Sequence, residues 1–144
     1  MPGHRGGLPW AAMSMGCPLL EQIPHRSYDR DDAHVVEMEI VDGVRGPTGS
    51  VHGGLIASLV DRAAAYAAVR AADRAVVTSS VALSYLDAAT VGPVRASAVV
   101  VRSGKRQGVV EVHVHDAGRS DLLVATALLT LSYVSGPTRG TATG

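Results

Sequence analysis

The chain has 144 residues, of which 47% are hydrophobic and 18% charged, and its 13 basic and 13 acidic residues give a formal net charge of zero. This composition is typical of a single globular domain. The lack of a basic excess and an aromatic content of 3% argue against nucleic acid as a partner. The single cysteine, Cys17, excludes an internal disulfide. Because no apolar run is long enough to cross a membrane, we expect no membrane association and a cytoplasmic protein.

The first third of the chain predicts an arm followed by one strand. Residues 1–32 are rich in Gly, Pro and charged side chains, and we expect a flexible N-terminal arm with a short helical turn near residues 19–23. Residues 33–41 alternate with a period of two, which predicts a strand. Residues 42–49 contain three glycines and a proline and predict a loop.

The hydrophobic pattern then changes to a helical period over residues 51–72, with Ser50 as the expected N-cap. Beyond this helix, turn sequences separate four predicted strands, at residues 76–87, 94–102, 109–115 and 122–134. Residues 135–144 form a polar tail. One long apolar helix and several long antiparallel strands predict an α+β domain over residues 33–134, with the sheet wrapped around the helix. The edges of such a sheet need covering, which favours pairing between subunits.

The candidate chemistry lies at the start of the helix. A helix start exposes N–H groups that lack internal partners and carries partial positive charge, and Gly53 and Gly54 allow a ligand to approach the backbone there. This place suits an anion, or a carbonyl oxygen that becomes one. Asp61 falls on the side opposite the apolar stripe, with no basic residue three or four positions away. It is either a surface acid or a carboxylate that faces an approaching group.

A metal site is not predicted. His113 and His115 share one face of a strand, but no third ligand has suitable spacing. A solvated strand face therefore explains this pair better than a metal does.

Residues 49–61, Gly-Ser-Val-His-Gly-Gly-Leu-Ile-Ala-Ser-Leu-Val-Asp, resemble the signature of hotdog-fold acyl-CoA thioesterases of the phenylacetate-pathway (PaaI-like) type, in the 4-hydroxybenzoyl-CoA thioesterase superfamily. Later segments are also similar to that family, namely residues 79–89, 92–98, 103–106, 116–119 and 124–127. The resemblance implies a hotdog fold, an antiparallel sheet around one long central helix. It also implies a homodimer, paired again into a dimer of dimers, that hydrolyses an acyl-CoA or acyl-carrier-protein thioester.

The resemblance further implies a site between two subunits. The backbone N–H of Gly53 would polarise the thioester carbonyl, and Asp61 of the neighbouring subunit would act as general base or as nucleophile. Thr78 would orient water or the carboxylate, and His52 would order the loop or the carbonyl. Substrate binding would involve Gly54 and a hairpin that contacts the phosphates of coenzyme A, formed by Ser103, Gly104, Lys105 and Arg106. Coenzyme A would be part of the substrate, and no separate cofactor is expected.

One position departs from the family pattern. Related enzymes often carry Asn or Gln six residues before the histidine, and this chain has Gly46 there, which has no side-chain amide. A non-catalytic acyl-CoA-binding hotdog protein is therefore an alternative. A hotdog hydratase or dehydratase is another. Those enzymes usually place Asp and His together near a helix start, whereas His52 and Asp61 are nine positions apart.

Overall fold

The computed structural model describes residues 18–135. Residues 1–17 of the predicted arm, including Cys17, and residues 136–144 of the predicted tail lie outside this range. The elements in chain order are α1 (Pro18–Glu21), β1 (His25–Arg30), β2 (Ala33–Met38), a 3₁₀ turn (Asp42–Val44), α2 (Gly53–Ala72), β3 (Val76–Tyr85), β4 (Val94–Ser103), β5 (Gln107–Asp116) and β6 (Leu122–Tyr133).

The six strands form one antiparallel sheet in the order β1-β2-β4-β5-β6-β3. Helix α2 packs against the inner face of this sheet, and its apolar stripe and the inward side chains make one core. Small side chains on the helix allow the backbone to lie close to the sheet. The predicted α+β architecture, a sheet wrapped around one long helix, is confirmed. Fully buried core residues include Val36, Val60, Ala63, Ala64, Ala96, Val112 and Leu129.

Strand β1 corrects the prediction of a flexible arm. Residues 25–30 pair with β2 along their whole length. Their side chains are mostly polar and exposed on both faces, so the sequence offers no apolar alternation. The strand is held by its backbone ladder and by the buried carboxylate of Glu37, which accepts hydrogen bonds from Arg26 at 2.8 Å and from Tyr28 at 2.7 Å. A polar edge strand of this kind is usual at the end of a sheet.

Strand β3 contains an irregularity that reverses one predicted side-chain direction. Simple alternation places Thr78 on the face opposite Val81. In the structure the register between β3 and β6 shifts just after Thr78, as at a β-bulge. Thr78 lies opposite the buried Leu131, and Val81 lies opposite the buried Leu129. Both side chains therefore face α2, because directly opposite residues share one face of the sheet.

The loop between β3 and β4 is fixed from inside by Asp116. This carboxylate is fully buried, and it accepts the N–H groups of Thr90 at 2.8 Å, Val91 at 3.1 Å and Gly92 at 2.7 Å. Burial alone would raise the pKa of Asp116. The backbone N–H donors, with that of Gly118 among them, outweigh burial and hold the pKa below its usual value.

The same loop supports the segment that precedes α2. The carbonyl of Ala89 accepts the N–H of Val51 at 2.9 Å, and both residues are buried. Arg45 bridges the two segments, because its guanidinium donates to the carbonyls of Gly49 at 2.6 Å and Thr90 at 3.1 Å. The start of α2 thus rests on a loop that Asp116 anchors.

We expect Asp116→Asn to lower the free energy of unfolding by about 2–4 kcal/mol at pH 7, because the amide turns a donor towards backbone N–H groups. The pKa of Asp116 is lowered in the folded protein, so its contribution is complete above the unfolded pKa of about 3.9 and is lost as pH falls through the folded value. Urea unfolding of the wild type and of Asp116→Asn should give a difference in the free energy of unfolding that is constant from pH 7 to 5. This difference should become smaller in more acidic buffer. The exposed Glu39→Gln variant serves as control, and a difference that does not change with pH would contradict this role.

Candidate active site

Helix α2 begins at Gly53, and His52 is its N-cap. The His52 Nδ1 accepts the N–H of Gly54 at 3.1 Å. An Nδ1 that accepts a hydrogen bond leaves the proton of the neutral imidazole on Nε2. The exposed His52 ring therefore offers one N–H donor next to the helix start.

Ser50, the expected cap, has a different role. Its carbonyl accepts the N–H of Gly46 at 2.7 Å, and its hydroxyl lies 3.0 Å from that of Thr48. Ser50 therefore closes the turn before the helix. The expected N-cap at Ser50 was wrong, and the N-cap is His52, two residues further along the chain.

The N–H of Gly53 is free for a ligand. Of the first four N–H groups of α2, that of Gly54 donates to His52 Nδ1, and those of Leu55 and Ile56 donate to the His52 carbonyl at 2.9 and 3.3 Å. No acceptor within residues 18–135 takes the N–H of Gly53. This donor lies at the positive end of the helix dipole, an arrangement that stabilises a developing oxyanion.

Asp61 and Thr78 lie in contact, on α2 and β3 respectively. The Thr78 hydroxyl donates to Asp61 Oδ1 at 2.5 Å. Both residues are exposed, and Asp61 forms no ion pair within residues 18–135. A carboxylate fixed by a hydroxyl and open on its other side can accept a proton or attack a carbon that approaches it.

Tyr85 is a neighbour of the helix start that the sequence analysis missed. Its hydroxyl donates to the Gly53 carbonyl at 2.5 Å. The alternation in β3 places Tyr85 on the apolar face with Val81, but nothing in the local sequence indicates contact with a residue 32 positions away.

The predicted coenzyme A hairpin lies at the other end of α2. The Ser103 hydroxyl is 2.6 Å from that of Tyr133, and the Gly104 N–H donates to the Gln107 carbonyl at 2.9 Å. The Lys105 carbonyl accepts a hydrogen bond from Arg74, which follows the C-terminal end of the helix. Within one protomer the hairpin therefore does not meet Gly53. The side chains of Lys105 and Arg106 are exposed and form no ion pair with any residue from 18 to 135.

The part of the chain that the structure describes has neither a metal-binding cluster nor a helix that could cross a membrane. Residues 18–135 contain no group of three or more His, Cys, Asp or Glu side chains arranged to hold a metal ion. His113 instead lies 3.0 Å from Glu111 on the outer face of the sheet. In the same range no helix combines the length and the apolar character that crossing a membrane requires.

Comparison with known proteins identifies the family. The profile described as the thioesterase superfamily matches residues 48–140, which is more than half of the chain. The PaaI protein of the E. coli phenylacetic acid degradation operon is similar in structure, with a TM-score of 0.77 and 25% sequence identity, over 88% of this chain and 91% of that chain.

Two further structures agree. The conserved protein PA5202 of Pseudomonas aeruginosa has a TM-score of 0.75 and 28% identity, over 86% of this chain and 99% of that chain. AziG of S. sahachiroi has a TM-score of 0.72 and 30% identity, over 81% of this chain and 96% of that chain. A search of curated proteins gave no match. The resemblance inferred from residues 49–61 is confirmed: the chain belongs to the thioesterase superfamily and is a hotdog-fold thioester hydrolase.

Proposed function

We propose that the protein hydrolyses an acyl-CoA thioester, or the corresponding acyl-carrier-protein thioester, to the free acid and the thiol. One observation carries this proposal: a helix start with a free N–H at Gly53 occurs in a protein that also holds the carboxylate of Asp61 against Thr78. The N–H polarises the thioester carbonyl, and the carboxylate addresses its carbon.

The reaction takes place between two protomers. Gly53 and Asp61 are eight residues apart on one continuous helix, so about 12 Å separates them along the axis. A carbonyl oxygen must lie about 3 Å from its donor, so one protomer cannot apply both groups to the same thioester. A homodimer joins Gly53 of one protomer to Asp61 of its partner.

The unpaired edge of β3 is the surface that supports such a dimer. Strand β3 ends the sheet, and its outer edge pairs with no other strand of residues 18–135. Its apolar side chains are unusually open, with Val77 53%, Val81 46% and Tyr85 52% exposed. An exposed apolar edge strand favours pairing with a second copy. We propose that two such dimers associate further into a tetramer.

Hydrolysis then follows one of two courses. As general base, Asp61 takes a proton from water while the water oxygen attacks the carbonyl carbon. As nucleophile, Asp61 attacks that carbon itself, and water cleaves the resulting anhydride. In both courses the C–S bond breaks and the departing thiolate takes up a proton. The Nε2–H of His52 adds a second donor near the carbonyl oxygen.

We assign the coenzyme A phosphates to the hairpin of the partner protomer. Lys105 and Arg106 are exposed and form no ion pair within residues 18–135. Their charges are therefore available to bind phosphate groups. In this proposal coenzyme A is part of the substrate, and no separate cofactor or nucleic acid takes part. We propose the cytoplasm as the location of the reaction. Hydratase chemistry is less well supported, because the Nδ1 of His52 accepts the N–H of Gly54 and its Nε2 carries the ring proton, which leaves no ring nitrogen free to act as a base.

Mixed dimers test the shared site. Asp61→Asn should lower kcat for acyl-CoA by about 10² or more, and Gly53→Pro should lower it by about 10²–10³ because proline removes the N–H. Proline suits the first helical position, and His52 with φ −58° and ψ 130° already has the backbone that precedes proline. The proline Cβ would lie 3.3 Å from Cζ and Oη of Tyr85, so the free end of this half-exposed side chain has to shift by a few tenths of an ångström. Doubly tagged dimers that combine the two variants should recover about half of the wild-type activity, because one of two sites is intact. Thiol release measures this, and mixed dimers as inactive as their parents would reject a site shared between protomers.

Thr78→Val should lower kcat about five- to tenfold, because without this hydrogen bond the Asp61 carboxylate can rotate away from its reactive orientation. Thr78→Ser, which keeps the hydroxyl, should restore most of the rate. Thr130→Val on the outer face of β6 is the matched control and should leave kcat unchanged. Equal rates for Thr78→Val and the wild type would show that the hydroxyl has no part in the reaction.

Gly46→Asn should raise kcat about fivefold, the equivalent of one hydrogen bond worth about 1 kcal/mol. A Cβ at this position would meet only ordinary contacts, the nearest being 3.7 Å from the Ser50 carbonyl oxygen and 3.9 Å from the His52 ring. The amide would therefore lie beside His52 without strain. Gly43→Asn, where a Cβ meets nothing within 4 Å, is the control. A fall in kcat with unchanged stability would contradict this prediction and would mean that the site requires glycine at position 46.

A further inference from the structure

The peptide unit between Gly53 and Gly54 is held at both ends by side chains. Its carbonyl accepts the hydroxyl of Tyr85 at 2.5 Å, and its N–H donates to His52 Nδ1 at 3.1 Å. His52 immediately precedes this unit, whereas Tyr85 comes from the far end of strand β3. A tertiary contact and a local cap therefore fix the plane of the same peptide.

The Tyr85 ring also packs directly on the glycine. A Cβ built on Gly53 would lie 3.3 Å from both Cζ and Oη of Tyr85, which leaves little space for any side chain there. Tyr85 is 52% exposed, so burial in the core does not explain why its ring lies next to Gly53.

Two consecutive glycines at a helix start need such a restraint. Glycine has the widest range of backbone torsions, so Gly53 and Gly54 do not by themselves hold the neighbouring N–H in one direction. Fixing the peptide plane that follows Gly53 restricts the ψ torsion of that residue, and the cap restricts the chain before it. The free N–H of Gly53 therefore points in a defined direction, as an oxyanion donor requires, because a misplacement of about 1 Å at a reacting centre costs about 10²-fold in rate.

We propose that Tyr85 is a positioning residue that aims the Gly53 N–H at the thioester oxygen. This inference rests on the proposed function of Gly53 and adds a residue to that site. Tyr85 does not touch the reacting atoms. Its hydroxyl acts through the Gly53 carbonyl, and its ring occupies the space next to the position that a Cβ of residue 53 would take.

Tyr85→Phe tests the proposal, because it removes one hydroxyl from a half-exposed ring and leaves the fold intact. We expect kcat to fall about five- to tenfold with KM within about twofold of the wild type, since the interaction matters only as the oxyanion forms. Affinity for a trifluoromethyl ketone linked to coenzyme A, which adds water and presents an oxyanion-like oxygen, should fall by the same factor. Affinity for a thioether of coenzyme A without a carbonyl should not change.

Tyr28→Phe is the matched control. Tyr28 also donates its hydroxyl to a single acceptor, Glu37, but it lies on β1 at the opposite edge of the sheet. Its kcat and its ketone affinity should match those of the wild type. An unchanged kcat in Tyr85→Phe, or equal losses of ketone and thioether affinity, would overturn the positioning role.

Amide hydrogen exchange separates this proposal from the proposed function. In Tyr85→Phe the N–H of Gly54 should exchange about tenfold faster than in the wild type and in Tyr28→Phe, because the peptide plane loses one of its two side-chain hydrogen bonds. This readout needs no substrate. Faster exchange in a protein that hydrolyses no thioester would reject the proposed function while upholding the restraint by Tyr85, and unchanged exchange would reject the restraint itself.

Discussion

The fixed spacing along helix α2 is the constraint on which the proposed chemistry depends. Gly53 and Asp61 lie about 12 Å apart along the axis, and the fully buried stripe that includes Val60 locks the helix against the sheet between them. The helix therefore cannot bring its two chemical groups to one carbonyl. In the proposed reaction a second copy supplies the other group, and the open strand β3 that would receive this copy also carries the side chains of Thr78 and Tyr85.

Periodicity predicted the helix and four of the six strands, because each of them has one apolar face that the core needs. Residues 122–134 are apolar almost throughout, and the hairpin spacing before them predicted the fifth strand, β6. Periodicity failed for β1, whose residues are polar on both sides and whose pairing depends on the buried Glu37 of its neighbour. It also failed at the bulge after Thr78, since an extra residue in a strand leaves the sequence pattern unchanged while it inverts the side-chain direction.

Some residues of the candidate site could be predicted from local sequence, and others depend on contacts between distant parts of the chain. Residues 49–61 form one continuous motif, so its glycines and its acid could be identified from local sequence. Thr78 was selected by family resemblance, and only the bulge explains how it reaches Asp61. Tyr85 was missed because its partner is 32 residues away, and no local rule links a strand-end tyrosine to a helix-start carbonyl.

The two edge strands of the sheet, β1 and β3, differ in charge, and this difference limits which edge can pair with a strand of another copy. Strand β1 carries exposed charges at Arg26, Asp29 and Arg30, whereas β3 has no charged residue and exposes apolar side chains such as Val77 and Val81. Charged edges resist the addition of another strand. In the proposed dimer, pairing through β3 about a two-fold axis would use the uncharged free edge of residues 18–135, so the sheet would extend over two copies and no further. A head-to-tail fibre, which would need β1 of one molecule to accept β3 of the next, has no compatible end on which to propagate.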